Sequence, residues 1–352
     1  MQHQKEMPNE TVALSNVLTR YRIPTATIER AGGTAGSTWR VVSHCGHAYF
    51  IRRRGARTSS PERIRFDHGL RCRLAAHGFP TVAPLKTDTG ETWIAIDGAA
   101  YETYPFVDGL VYSERIAPSA RASTARVLAQ LHRVSAGYDG LCETLVPQFS
   151  SYPEPVVPRE RFDAPDAHIE ALDMIERRYA TPAERSAIAQ ARARIVDVGR
   201  AYAAVYSDLP RTVIHGDYNC FNLLFTADGH VVGVFDFDWA WREVRVFDVA
   251  QGMFFFGAHR TGDLDPASIW SLTRCPDLDT GAMAEFARAY HRENALTDLE
   301  WCVLPLVILA RWVSWRLEGA MKVPERRRVE FLLYGFQQPF AWYDTADWPP
   351  NP

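Results

Sequence analysis

The chain has 352 residues, 47% of them hydrophobic and 23% charged, with a formal net charge of −3 at pH 7. That length suits two lobes rather than one small domain, and the apolar share can fill a large core and excludes global disorder. So mild a charge disfavours a polyanionic partner such as nucleic acid.

Arginine supplies almost all the positive charge, because the only lysines are Lys5, Lys86 and Lys322. The six cysteines, at 45, 72, 142, 220, 275 and 302, form no C-x-x-C pair and suggest no disulfide framework, which reads as reduced thiols in a cytoplasm. The stretch from Met1 to Glu10 is polar and lacks the apolar centre of a signal peptide. The longest apolar run, Val303 to Ala310, is interrupted by Pro305, is followed by Arg311 and is too short to span a bilayer. A cytoplasmic protein without a membrane or nucleic-acid partner is expected.

In chain order, residues 11–20 read as a short helix. Three β-like runs follow, Thr25–Arg30, Thr38–Ser43 and Ala48–Arg53, with Gly32, Gly33 and Gly36 between the first two. Residues 61–77 read as a helix, since Pro61 suits a first helical position and Phe66, Leu70 and Leu74 recur at every fourth residue. Residues 92–106 read as two more strands turning at Asp97-Gly98. An N-terminal lobe over residues 1–105, with five strands and one helix, is therefore expected.

The remainder, residues 106–352, reads as a larger, mainly helical lobe. Val127, Leu128, Leu131 and Val134 fall on one helical face. The Pro-rich stretch from Pro147 to Pro165 reads as an exposed connection. Helices are expected around 167–179, 182–206, 244–257, 280–293, 298–318 and 325–336. Two β-like runs interrupt them, Asn222–Phe225 and Val231–Phe235, turning at Asp228-Gly229. The fold class is thus α+β and bilobal.

The segment His215-Gly216-Asp217-Tyr218-Asn219-Cys220-Phe221-Asn222, followed by Val234-Phe235-Asp236-Phe237-Asp238, carries the chemistry. Phosphoryl transfer needs a group that orients the acceptor hydroxyl and takes its proton, and oxygen ligands that hold Mg2+ against the phosphates. Asp217 and Asn222 lie on a loop entering one strand of a hairpin, and Asp236 ends the other. Such a hairpin can bring all three side chains to one end.

This arrangement resembles the aminoglycoside phosphotransferase and choline kinase superfamily, with its H-G-D-x-x-x-x-N loop and a following strand that ends in Asp. It is similar to the paired H-R-D and D-F-G motifs of protein kinases. The resemblance implies a protein-kinase-like fold and an ATP- and Mg2+-dependent kinase. It implies that Asp217 is the catalytic base, that Asn222 and Asp236 are metal ligands, and that His215 pins the loop. Asp248 matches a recurrent Asp of the family and reads as a structural partner of that loop. Asp238 reads as a structural neighbour of Asp236 or as a contact to metal or acceptor.

In the first lobe, the loop containing Gly33, Gly36 and Ser37 suits close approach to phosphates, though it is not a Walker A loop. Kinase-like folds place a lysine on the third strand. Here Arg52 falls at that position, and its expected carboxylate partner on the following helix is Asp67, with Glu62 second. The stretch 101–109 resembles an inter-lobe hinge, where the Pro105 carbonyl and the Val107 N–H are the candidates for adenine.

The strand around Arg52 and the Arg311–Arg316 segment most resemble the homoserine-kinase-like branch. An acceptor pocket is expected near the C-terminal helices, where Trp239, Trp241, Trp312 and Trp315 offer cation–π surfaces and Arg311 or Arg316 offers a carboxylate clamp. The acceptor is expected to be homoserine, an amino alcohol or a sugar-like hydroxyl. The alternatives are an aminoglycoside O-phosphotransferase, a nucleotide-binding pseudokinase without turnover, and a metal-dependent hydrolase built on the His/Asp cluster.

Overall fold

The computed structural model describes residues 8–31, 37–113, 116–139, 165–260, 265 and 268–348. The expected phosphate-loop residues Gly33 and Gly36, and the expected connection over 147–164, lie outside the described residues. The chain divides into two compact units, Met1–Asp108 and Gly109–Pro352.

The first unit is an antiparallel sheet in the order β1-β2-β3-β5-β4, formed by β1 (Thr25–Ala31), β2 (Ser37–Ser43), β3 (Ala48–Arg53), β4 (Trp93–Ile96) and β5 (Ala99–Pro105). Helix α1 (Pro8–Arg20) carries Ala13, Leu14, Val17, Leu18 and then Tyr21, one apolar stripe with helical spacing. This stripe packs in one core with Trp39, Val41, Ile51 and Tyr101 from the sheet. Strand alternation turns the neighbouring residues, Arg52, Glu102 and Tyr104, to the other face. There they meet helix α2 (Pro61–Ala76), whose His68 reaches both Glu102 and Tyr104. Ser60 caps α2 by accepting the Arg63 N–H, and Pro61 occupies its first turn. Among the described residues the unit therefore has two α-helices, at the two places read as helical from sequence, and the count of one helix for the lobe is corrected.

The second unit is built on α3 (Ala117–Ser135), α4 (Pro165–Tyr179), α5 (Arg185–Tyr206), α6 (Val246–Phe256), α7 (Ile269–Leu272), α8 (Thr280–Glu293), α9 (Asp298–Ala320), α10 (Arg328–Leu333) and α11 (Gln338–Thr345). The sequence led to one long helix over 325–336. A 3-10 turn, Glu325–Arg327, and the short α10 stand there instead. Among the described residues, three small two-stranded sheets join the helices. The hairpin of β7 (Leu223–Phe225) and β8 (Val231–Val234) was expected. The antiparallel pair of β6 (Arg211–Ile214) and β9 (Trp241–Val244) was not, nor was β10 (Ala258–His259) with β11 (Asp277–Leu278). Short strands escape a pattern search because four residues give too few alternations, and their pairing spans distant sequence.

Helix α6 is the spine of this unit, buried along its whole length. Helix α9 packs on it, opened by a Thr297–Glu300 capping box, and the same Glu300 accepts from Arg245 Nε at 2.6 Å just before α6. Among the described residues, no helix is long and apolar enough to cross a membrane.

Close approach of α6 and α8 depends on Gly252, where an added Cβ would overlap the buried Phe286 ring, itself stacked on Phe256. Gly252→Ala is expected to destabilise, because overpacking of about 1–3 kcal/mol outweighs the gain of up to about 1 kcal/mol in helix propensity. Thermal unfolding checks this, and a melting temperature at or above that of the parent contradicts it.

Candidate active site

Strand β6 delivers the chain into the loop that starts at His215. Gly216 has φ +78°, and a Cβ there would overlap the Trp239 carbonyl oxygen. Only glycine fits that backbone and that contact. The loop hangs from one carboxylate. Asp248, fully buried in the first turn of α6, accepts the His215 N–H at 2.7 Å and the Gly216 N–H at 3.0 Å. His132 of α3 donates Nε2–H to it at 3.2 Å, and its Nδ1 lies 2.7 Å from the Tyr290 hydroxyl.

His215 ties the loop to the next strand. Its Nε2 lies 2.8 Å from the Phe235 carbonyl, and its Nδ1 lies 3.2 Å from the Asp217 N–H. Both bonds together require the neutral tautomer with the proton on Nε2. The imidazole therefore fixes Asp217 relative to Asp236 and is not available as a general base.

Asp217 is half-buried and receives donors on both oxygens. Asn222 Nδ2 donates to Oδ2 at 3.1 Å, and Gln251 Nε2 donates to Oδ1 at 3.2 Å. Asn222 Nδ2 and Asn219 Nδ2 also donate to the Asp217 carbonyl, at 2.8 and 3.1 Å. With its amide nitrogen turned to Asp217, Asn222 keeps Oδ1 for another partner.

Asp236 follows immediately. The Phe235 N–H donates to the Asn222 carbonyl at 2.9 Å, and Leu223 pairs with Val234, so Asn222 and Asp236 leave the same end of the hairpin. Asp236 has φ +60° and ψ +60°, a left-handed conformation uncommon for a residue with a side chain. The donor set of one carboxamide and one carboxylate oxygen suits a hard cation. It is too small to cage one alone, and among the described residues no group of three or more His, Cys, Asp or Glu is placed to hold a metal ion. Mg2+ takes its remaining ligands from water and substrate phosphates, so this set fits it. Asp238 is buried in the single 3-10 turn after Asp236, and Trp239 closes that turn half-exposed.

In the first unit the expected pairing of Arg52 with Asp67 is corrected. Asp67 is held by Arg54, which lies just beyond β3 and on the same face as Arg52. Arg52 instead faces Glu102 directly across β3 and β5, with Nη1 to Oε1 at 3.4 Å. Glu102, only 1% exposed, also accepts from Arg54 Nη1 at 3.1 Å and from His68 Nε2 at 2.8 Å. Burial pushes the Glu102 carboxyl up, but Arg54, His68 and Arg52 together bring it far below the usual carboxylate range. Alternation along β3 is visible in sequence, but the choice of partner depends on the distance to α2. Of the remaining candidates, Ser37 opens β2 opposite Arg53, Pro105 ends β5 exposed, and Val107 is half-buried beyond it.

The expected acceptor wall is also revised. Trp312 is fully buried and donates Nε1–H to the Phe336 carbonyl at 3.0 Å, so it belongs to the core. Trp241 is buried on β9. Arg316 is buried and donates to the carbonyls of Thr273 and Phe331. Arg311 is buried as well, with Nη2 3.0 Å from Gln251 Oε1 and its guanidinium 3.9 Å from the Phe247 ring. Trp315 alone of the three tryptophans on α9 is half-exposed. Gln251 was not anticipated. The available signal was two polar residues, Asp248 and Gln251, one turn apart in an otherwise apolar helix.

The comparisons with known proteins agree with this geometry. The model of the family described as "Phosphotransferase enzyme family" matches residues 27–301. The chain is 23% identical over 260 residues to a homoserine kinase of Caulobacter sp. (strain K31), covering 74% of this chain and 69% of the relative. It is 25% identical over 267 residues to a homoserine kinase of Nitrobacter winogradskyi, again covering 74% and 69%. Among solved structures it resembles a microcompartment-associated aminopropanol kinase, with a TM-score of 0.66 at 14% identity over 96% of this chain and 99% of the other. It also resembles an amicoumacin kinase solved with AMP-PNP and Ca2+, with a TM-score of 0.65 at 14% identity over 97% and 96%. These likenesses establish the kinase-like fold.

Two arginines and two carboxylates balance charge around Glu102. Removing one partner of a buried ion pair costs about 3–5 kcal/mol, so Glu102→Gln is expected to lose stability of that order at pH 7. Because the folded carboxyl is the more acidic one, its contribution is present above its ordinary value of 4.5 and lost as pH falls below it. The stability gap between parent and variant should therefore narrow between neutral pH and about pH 3.5, measured by urea denaturation. A gap that stays constant with pH contradicts the role assigned to Glu102.

Proposed function

We propose that this chain, which belongs to the phosphotransferase enzyme family, moves the γ-phosphoryl group of Mg·ATP to the hydroxyl of a small acceptor of the homoserine or amino-alcohol class. The observation that carries the reading is the clamp on Asp217. Two amide donors fix its carboxylate, and Asp248 and His215 fix the loop that bears it.

Asp217 accepts the hydrogen bond of the acceptor hydroxyl, aims its oxygen at the γ-phosphorus and takes its proton as the new O–P bond forms. The bond from the γ-phosphorus to the β–γ bridging oxygen breaks, and ADP leaves. Asn222 through Oδ1 and Asp236 through its carboxylate are the metal ligands. When bound, Mg2+ neutralises charge on the phosphate oxygens. Asp238 and Trp239, which follow Asp236, and the half-exposed Trp315 are the acceptor-side candidates.

In the first unit, Arg52 is the proposed cation for the α- and β-phosphates, held in readiness by Glu102. Ser37, the Pro105 carbonyl and the Val107 N–H are the further candidates for nucleotide contact. Two homoserine kinases among the relatives support an amino acid or amino-alcohol acceptor. A net charge of only −3 gives little attraction for a polycationic aminoglycoside.

Asp217→Asn is expected to lower kcat by about 10²–10⁴-fold while Mg·ATP still binds. Activity above about a tenth of the parent's would remove Asp217 from the catalytic role.

Asp236→Ala is expected to weaken Mg·ATP far more than metal-free ATP in calorimetric titrations, and equal losses for both would remove Asp236 from the metal. ADP release with L-homoserine, ethanolamine, 1-amino-2-propanol, choline and kanamycin tests the acceptor class. Turnover confined to kanamycin overturns it.

A further inference from the structure

We propose that Gln251 and Arg311 act together as positioning residues for Asp217, as a relay running from helix α9 through helix α6 to the catalytic carboxylate. The proposal rests on the reading of Asp217 given above and assigns two residues that the sequence motif does not contain.

Gln251 is an amide, and an amide can face a carboxylate with either its donor or its acceptor end. Only the donor end is attractive. Arg311 decides which end it is. Its Nη2 lies 3.0 Å from Gln251 Oε1, and a guanidinium has no acceptor, so Oε1 must point to Arg311 and Nε2 must point away. Nε2 then meets Asp217 Oδ1 at 3.2 Å, on the side of the carboxylate opposite Asn222, which holds Oδ2 at 3.1 Å. With a donor on each oxygen, rotation of the carboxylate about its last bond is stopped in both directions. The amide is polarised by the cation behind it, which strengthens its donor end.

Arg311 is itself fixed. It is 1% exposed, and its guanidinium lies 3.9 Å from the Phe247 ring and 4.9 Å from the Trp315 ring. Phe247 precedes Asp248, so one turn of α6 carries the residue that suspends the loop, the residue that aims Asp217 and the ring that seats Arg311. Packing of α6 on α9 does not require this polar pair. Phe254 and Trp312 already meet there with ring centroids 6.0 Å apart, and Arg245 with Glu300 ties the helix starts. Burying an arginine is costly unless its donors are partnered, and Gln251 is one of the partners of Arg311.

The test compares Gln251→Met, Arg311→Met, Arg311→Lys and the double variant Gln251→Met/Arg311→Met with the parent. Turnover is read as ADP release from Mg·ATP with the fastest acceptor of the panel above, or with water if none of the panel is used. A hydrogen bond to a charged group sets the expected loss, so Gln251→Met should lower kcat by about 10- to 100-fold. KM for Mg·ATP should stay near that of the parent. Arg311→Met should fall as far, the double variant no further than either, and Arg311→Lys should recover much of the loss, because its ammonium can still donate to Oε1.

Parent-like kcat in Gln251→Met overturns the proposal, as do additive losses in the double variant. A fall in kcat matched by a rise in KM for Mg·ATP and a lower melting temperature also overturns it, since that pattern means packing alone. If Arg311→Met does not fold, Gln251→Glu decides. It keeps the bond to Arg311 but sets an acceptor against Asp217, so kcat should fall at least as far as in Gln251→Met, and a parent-like value overturns the relay. An active Asp217→Asn removes the functional reading itself, whereas an inactive Asp217→Asn beside a fully active Gln251→Met removes only the relay.

Discussion

A buried carboxylate that receives three hydrogen bonds organises the second unit. Asp248 takes the N–H groups of His215 and Gly216 and the Nε2–H of His132. A carboxylate this deep is tolerable only when its lone pairs are satisfied, and two of the donors that satisfy it are backbone N–H groups of the loop that bears Asp217. The position of that loop is thus set by the cost of burying a charge. The same dependence explains why Gly216 cannot carry a side chain, since the chain must turn sharply under the Trp239 carbonyl to present both N–H groups to Asp248.

From that anchor the order of the site propagates outward through bonds of fixed direction. His215, held by its own N–H, uses both ring nitrogens, one on Asp217 and one on the Phe235 carbonyl. Asn222 closes the ring by donating to Asp217 from the start of the hairpin that ends at Asp236. Bonds of fixed direction are how a short loop without regular structure can hold the Asp217 carboxylate in place.

The first unit solves a related problem with charges. Arginines stand at 52, 53 and 54, and the chain has almost no lysine with which to build the usual strand-to-helix pair. Glu102 sits opposite Arg52 in the ladder and draws Arg54 and His68 to itself, while Asp67 on α2 completes the balance through Arg54. A guanidinium has several donors in a fixed plane, so one arginine can bridge a strand and a helix while another on the same face stays with the strand.

The sequence by itself determined the fold class, both β-rich and helical regions, and the loop bearing Asp217, Asn222 and Asp236. Those features depend on local spacing, on strand alternation and on a motif whose members lie within a short stretch of chain. Asp248 was also legible, through the resemblance, as a recurrent Asp that partners the loop. The tertiary structure alone decided that Asp67 belongs to Arg54, that Trp312 and Arg316 serve the core, that β6 pairs with β9, and that Arg311 reaches Asp217 through Gln251. Each of these joins residues far apart in the chain. Which of several arginines or tryptophans meets a given partner depends on helix packing distances and on which side chain is desolvated, and neither quantity is written in local periodicity.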